Sequence, residues 1–417
     1  MRNYLKYAVV LTLLAALLAL GGVSCSGGEE EATPTPSATL APTAAPTPTA
    51  TPKAAYKVGA LFSTTGGGSN LGVPEEETVN MMVGQINAAG GINGHQLEVV
   101  FYNTETSTER CATLATRLIE QDNVLAIIGP TTSGESLAII DTVTVAKVPL
   151  VSCAANIGIV TPVSERYWVF KTPQADKEVA AELLRYMQAQ GITKIAIITN
   201  TSSFGAGGRT VFKSDAGSYG ITIVDDQTYS TGDTSMQSQL THIKGTDAQA
   251  VVCWDTDQEA AIVARDMKTL QMTIPLFCSH GIANQAFIDN AGDAANGVIF
   301  PAGKLLIADI VPDTDPQQEV LVQYKADYEA FTGKTPSTFG GHAYDALTMV
   351  VMALGEIEEG LDTAEARQEI RDEIEKITDF AGISGVFTMS PADHLGMQPG
   401  SLALIEIVDG QWTWLQQ

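Results

Sequence analysis

Between residues 127 and 138 the chain reads Ile-Ile-Gly-Pro-Thr-Thr-Ser-Gly-Glu-Ser-Leu-Ala, and here the side chains that could do chemistry are concentrated. The apolar run Val124 to Ile128 has the composition of a buried parallel strand. Glu135 to Lys147 reads as a helix, with Leu137, Ile139, Ile140 and Val143 among its inward candidates. Two threonines, Thr131 and Thr132, with Ser133, Gly129 and Gly134, lie between them. Where a strand hands over to a helix, the free N–H groups of the helix start point at the strand end, and hydroxyls beside them complete a cradle for a carboxylate or another anion. This is chemistry for holding an anion, not for breaking a bond. A plain Ser/Thr cap of the turn uses the same residues, so the rest of the chain must decide.

The elements that position this turn recur along the body. Apolar strand candidates are Lys57 to Phe62, Leu97 to Tyr102, Val124 to Ile128, Val148 to Ser152, Lys194 to Thr199, Ile221 to Asp225, Ala250 to Trp254, Ile274 to Cys278 and Val298 to Pro301. Helix-length segments separate most of them: Glu76 to Ala89, Arg110 to Gln121, Glu135 to Lys147, Glu178 to Gln190, Gly207 to Tyr219, Met236 to His242 and Gln258 to Leu270. Continuous Val/Ile/Leu runs mark strands covered on both faces, so the fold class is α/β with parallel sheets. The alternation happens twice, with Trp168 to Pro173 as an extended bridge. Two doubly wound lobes joined by a hinge follow, lobe 1 from 56–172 and 302–382, lobe 2 from 173–301 and 383–417. Ligands of open α/β sheets sit outside the carboxyl ends of the strands. Facing lobes would therefore enclose a cleft lined by the loops after Phe62, Ile128, Val151, Thr199, Trp254 and Cys278, closing by hinge motion. Beyond Pro301 come helical stretches Glu319 to Thr332, His342 to Glu359 and Ala364 to Thr378. The end, Gly385 to Met389 and Ser401 to Val408 with Asp409-Gly410 before Trp412, alternates like a β hairpin closing on a turn.

The N-terminus is of another kind. Arg2 and Lys6 precede the apolar run Ala8 to Leu20, which small residues and Cys25 follow at once; this is an export signal, residues 1–25. Residues 26–55 are a Thr/Pro/Ala linker with almost no bulky apolar side chains. Such a segment cannot offset its ordering entropy and is expected to stay extended and solvated. The formal net charge of −25, from 48 acidic and 23 basic residues, argues against a nucleic-acid partner. Besides Cys25 there are Cys111, Cys153, Cys253 and Cys278, without C-x-x-C or zinc spacing. They allow two disulfides or buried free thiols; Cys253 and Cys278 each end an apolar run and could be neighbours.

Other chemistry finds little support. Gly66-Gly67-Gly68 leads into Ser69 and not Lys-Ser/Thr, so it is no phosphate loop but a mobile rim of the cleft. Phe204-Gly205-Ala206-Gly207-Gly208 lacks dinucleotide spacing and reads as a helix start. There is no G-x-S-x-G elbow, and His95, His242, His280, His342 and His394 show no metal spacing. Neither an enzyme nor a cofactor is expected.

Assembled, the chain resembles the type I periplasmic binding fold and, more narrowly, the substrate-binding proteins of branched-chain amino acid ABC transporters. The resemblance rests on Ile86-Asn87-Ala88-Ala89-Gly90-Gly91-Ile92-Asn93-Gly94, Ile128-Gly129-Pro130 with Thr132-Ser133-Gly134, Val148 to Asn156, Phe204-Gly205 and Ala343-Tyr344-Asp345-Ala346. It covers Tyr56 to Gln417. It implies that Ser133, beside Thr132, and the loop positions Ala154 and Asn156 hold a ligand carboxylate, Asn156 replacing the usual threonine. Phe204 stands for an aromatic that packs over the ligand. His280 stands where amino-acid binders carry the acid that receives the ligand ammonium, Leu71 where a contacting tyrosine is common, and Thr256 at the second-lobe tyrosine. A buried ammonium without a carboxylate is costly. The ligand is therefore expected to be a carboxylate or amide lacking the amine, with His280 as donor, unless Asp255 or Asp257 compensates; these two could equally be solvated loop acids. The residues before Cys25 resemble a bacterial lipobox, with Gly22 in place of leucine, which implies lipidation at Cys25 and a membrane anchor. The implied function is delivery of a small-molecule ligand to an ABC permease. A ligand-sensing receptor ectodomain of the same fold is the alternative, and a branched-chain or other amino acid the alternative ligand.

Overall fold

A computed structural model describes residues 53–415, the side chain of Asp257 excepted; the signal segment, Cys25 and the linker through residue 52 lie outside the described residues. The first sheet is built from β1 (Tyr56–Phe62), β2 (Leu97–Asn103), β3 (Ala126–Ile128), β4 (Leu150–Ser152) and β5 (Val169–Lys171), in the order β2-β1-β3-β4-β5. All its pairings are parallel. Helices α1 (Ser69–Ala88), α2 (Thr108–Glu120) and α3 (Ser133–Ala146) make the crossovers. The cores of β1, β3 and β4 are fully buried, as strands covered on both faces require.

The pattern then repeats. After α4 (Asp176–Ala189) come β6 (Lys194–Asn200), α5 (Ser203–Asp215), β7 (Thr222–Tyr229), α6 (Gln237–Lys244), β8 (Ala250–Trp254), α7 (Asp257–Thr269), β9 (Leu276–Cys278), α8 (Gln285–Ala291) and β10 (Ile299–Gly303). The parallel order β7-β6-β8-β9-β10 copies that of the first sheet. In each sheet the winding direction reverses once, between β1 and β3 and between β6 and β8. At such a switch point the connections leave in opposite directions and a crevice opens at the strand ends. The chain then returns through α9 (Gln318–Thr332), α10 (Thr338–Glu356) and α11 (Thr363–Glu375); α10 packs on α1, β3 and β4. A small ladder of β11 (Phe380–Ala381) with β12 (Val386–Phe387) leads to β13 (Leu402–Val408) and β14 (Gln411–Trp414), which extend the second sheet antiparallel to β10.

Several expectations are corrected here. The supposed bridge Trp168 to Pro173 contains β5, the edge strand of the first sheet, so only the residues after Lys171 cross over. Lys171 interrupts the apolar run, yet it is buried because its ammonium donates to Ala155 O and Pro173 O, each at 2.8 Å. Helix α1 starts at Ser69, not at Glu76, and accommodates Pro74 in its second turn. Strand β7 continues past Asp225 to Tyr229, because its acids find partners: Asp226 takes both Nε and Nη2 of Arg209, at 2.6 and 2.8 Å. Gly385 to Met389 supplies β12, paired with β11, and stands apart from the terminal hairpin. That hairpin closes on Asp409-Gly410, both at positive φ, as a two-residue turn between twisted strands prefers. At the other end, Lys53 already donates to Asn93 O at 3.0 Å, so the last linker residues lie on the body.

The four body cysteines are buried free thiols, and Cys253 and Cys278 are register partners on β8 and β9. Burial raises the Cys111, Cys153 and Cys278 thiols well above their ordinary range. In a Cys25→Ser chain, a thiol reagent applied without reductant should therefore find four thiols after denaturation and almost none before; two or fewer after denaturation would mean bridges. A second prediction concerns Gly208 in α5, where a Cβ would stand 2.3 Å from the fully buried Trp254 ring. Gly208→Ala should lower stability by about 1–3 kcal/mol, net of the roughly 1 kcal/mol that Ala gains over Gly in a helix, seen as a reduced Tm in circular dichroism.

Candidate functional site

The two switch points face one another across a cavity of ≈ 50 Å³, room for a few water-sized groups, whose lining comes from both sheets and from α10. Seven of the eight residues singled out from sequence lie on it: Leu71, Thr132, Ser133, Ala154, Phe204, Thr256 and His280. Asn156 does not line it. The lining also includes Thr131, Cys153, Ala155, Pro173, Gly281, Phe339 and His342.

On the first lobe, β3 ends at Gly129, where φ is +83° and a Cβ would stand 2.3 Å from Leu61 O. Only glycine lets the ends of β1 and β3 come this close. Thr131 then accepts the Ser63 N–H at 2.9 Å and donates to Glu75. Thr132 is the N-cap of α3 in a capping box with Glu135: its Oγ1 accepts Glu135 N at 3.4 Å, and Glu135 Oε2 accepts Thr132 N at 3.1 Å. Its hydroxyl also donates to Glu135 Oε2 at 2.6 Å. Thr132 is thus the plain helix cap considered above, while the Ser133 hydroxyl takes no part in the cap; its Oγ accepts the Asn156 N–H at 3.3 Å.

The loop after β4 is self-bonded. Ala154 N–H goes to Ser152 Oγ at 3.1 Å, so the backbone donor expected at Ala154 is already used. Asn156 reaches across to the other lobe: Nδ2 donates to Ser203 O at 2.8 Å, while Oδ1 accepts Gly158 N at 2.8 Å. It ties the lobes together beside the cavity.

On the second lobe, Ser202 caps α5 and brings Phe204 to the cavity, and Thr256 stands at the N-cap of α7 with its hydroxyl unused by the cap. His280 lies in the turn after β9, edge-on to Phe204 at 5.3 Å and to Trp254 at 6.1 Å. Its Nδ1 is buried without a partner, a cost that a bound polar group would relieve. From α10 come Phe339 and His342, whose rings meet edge to face at 5.9 Å.

Charge in the cavity is one-sided. None of its lining residues is acidic. Asp255 is buried, not a solvated loop acid: it accepts Tyr229 OH at 2.6 Å and Thr256 N at 2.8 Å, and burial pushes its carboxyl up to about 7. Glu75 lies behind Thr131 and is also raised, first by burial and then by Glu135, against the hydrogen bond from Thr131. Burial holds His280 well below its usual range, with His342 and Lys171 adding to the effect, and pushes His342 down to about 3, with Lys171 adding. Both imidazoles are therefore neutral at pH 7. Together the walls offer hydroxyl and imidazole contacts to a small ligand, with no counter-charge for an ammonium.

Sequence reasoning missed His342 and Phe339 because the helix seemed to begin at His342; it begins at Thr338, and a histidine inside the first turns of an apolar helix was the available signal. Cys153, Ala155 and Gly281 flank residues already singled out.

Comparison with known proteins agrees with this architecture. The periplasmic binding protein family matches residues 55–411. A Leu/Ile/Val-binding protein, BraC3, of Rhizobium johnstonii is 25% identical over 276 residues, covering 66% of this chain and 74% of its own. An extracellular ligand-binding receptor from Rhodopseudomonas palustris HaA2 superposes with a TM-score of 0.81 at 28% identity, over 87% of this chain and 100% of that one. The branched-chain amino acid transporter substrate-binding protein LivJ of Streptococcus pneumoniae, in complex with isoleucine, superposes with a TM-score of 0.75 at 27% identity, over 86% and 97%. The match across nearly the whole body, on two lobes that face one another across a cavity, means that this chain belongs to the periplasmic binding protein family, whose members here bind ligands and are not enzymes.

Proposed function

We propose that this chain is the lipid-anchored, extracytoplasmic solute-binding component of an ABC importer, and that its two lobes close on a small carboxylate- or amide-bearing ligand without an ammonium group. The observation that carries the ligand class is the lining: the hydroxyl of Ser133 at the start of α3 on one wall, two neutral imidazoles on the other, and no acid between them. Anchoring rests on Cys25 and the linker in sequence, and the permease partner on the family. Branched-chain amino acids are the second reading of the ligand, favoured by the names of the BraC3 and LivJ relatives. The lining opposes it, because burying an ammonium against imidazoles costs several kcal/mol that a carboxylate partner would offset. A receptor ectodomain uses the same closure, and the neighbouring genes would separate it from an importer.

Thermal stability of the purified protein against amino acids, amides and small organic acids tests the ligand. A ligand at a hundredfold excess over its Kd adds about 2.7 kcal/mol to the folded state. Stabilisation is expected from acids or amides lacking the amine; a response to leucine or isoleucine alone would overturn the proposed class. Once a binder is in hand, Ser133→Ala should cost about 1.5–3 kcal/mol of affinity, the worth of a hydrogen bond to a charged group, measured by titration calorimetry. An unchanged Kd would remove Ser133 from the site.

A further inference from the structure

His342 enters the cavity with one nitrogen already committed. Its Nδ1 lies 2.7 Å from Ser384 Oγ. The Ser384 hydroxyl also acts on Asp345, opposing the burial that pushes this carboxyl up to about 7, and the two Asp345 oxygens accept the backbone N–H groups of Ile383 at 2.6 Å and Ser384 at 2.7 Å. Gly382 keeps the carboxylate this close to the chain, since a Cβ there would stand 2.4 Å from Asp345 Oδ1. With both oxygens accepting, Asp345 is the acceptor end of the chain. A Ser384 hydroxyl that points its proton toward Asp345 has its oxygen free to accept the proton of His342. In that arrangement the single proton of the neutral imidazole sits on Nδ1, and Nε2 carries a bare lone pair.

The surroundings supply no protein donor for that lone pair. Phe339 covers the ring edge to face, Lys171, the charged group acting on both imidazoles, spends two donors on Ala155 O and Pro173 O, and His342 in turn acts on His280. His342 lines the cavity, and an acceptor there wants a partner. An ammonium could donate to it, but only by burying a charge that no lining residue neutralises.

We infer that His342 Nε2 accepts a hydrogen bond from the ligand, so that the ligand carries a neutral O–H or N–H donor as well as its anionic end, as a hydroxy acid or an amide-bearing carboxylate does. The inference rests on the reading of the cleft as an organic-anion site and adds a second recognition element to it. His342 is then a specificity-determining contact set by the Ser384–Asp345 relay.

Matched compounds on two skeletons test it: α-hydroxyisocaproate, isocaproate and leucine, and phenyllactate, phenylpropionate and phenylalanine, each titrated into the purified protein. A site that donates to or accepts from a ligand hydroxyl discriminates against its absence, so on the skeleton that fits the hydroxy acid should bind about tenfold or more tightly than the plain acid. His342→Phe should narrow that gap. Because that variant could perturb folding, the nitrogen-15 shifts of His342 in the unaltered protein give an independent readout, expected to show the proton on Nδ1. Equal binding of hydroxy and plain acids, or a proton on Nε2, would overturn this inference and leave the anion-site reading intact. Tightest binding of leucine or phenylalanine, or no response to any of the acids, would overturn both.

Discussion

The cleft depends on one buried ammonium. Lys171 ends the last strand of the first sheet, at the point where the chain leaves for the second lobe, and its Nζ donates to carbonyls of Ala155 and Pro173. Both of those residues line the cavity. Burial drives the lysine toward its neutral form, and Asp176, at the start of α4, pulls it back toward the charged one. Asp176 is itself buried, and burial pushes its carboxyl up to about 7 against the pull of Lys171, so each charge eases the burial of the other. Removing either would leave an uncompensated charge at the junction of the lobes. The floor of the site and the crossover between lobes are thus held by the same interaction.

Around that floor, each wall is made by the reversal of strand order in its own sheet. The reversal presents helix starts and turns to the cavity, and the residues placed on them decide what can be held. Thr132 and Glu135 satisfy the start of α3 between themselves, which leaves Ser133 as the outward hydroxyl. Asn156 leaves the ligand to others and bonds the opposite lobe at Ser203 O. The interlobe hydrogen bond and the cavity lining at Cys153, Ala154 and Ala155 therefore come from one loop.

Much of this was legible in the sequence where one residue type has one physical use. Continuous apolar strands alternating with amphipathic segments specify parallel sheets, and the hydroxyl-rich turn after Ile128 marks a helix start whatever surrounds it. The same local logic failed at Trp168 to Pro173, read as a bridge, at the start of α1, and at Asp255, for which a solvated loop acid was one reading. Lys171 is held by the carbonyls of Ala155 and Pro173, α1 packs on α10, and Asp255 accepts the hydroxyl of Tyr229, contacts that no local pattern displays.

What the sequence by itself determined was the class of fold, its duplication and the hydroxyl-rich helix start at residues 131–134, because backbone hydrogen bonding and hydrophobic periodicity are local properties. Which polar groups face the ligand was decided only by tertiary structure. Thr132 and Ala154 reach the cavity with their donors spent, whereas His342 reaches it with Nδ1 already bonded to Ser384 Oγ, 42 residues further along. A side chain's availability is what remains after every nearer partner has been satisfied, and those partners are chosen by the packing of the lobes.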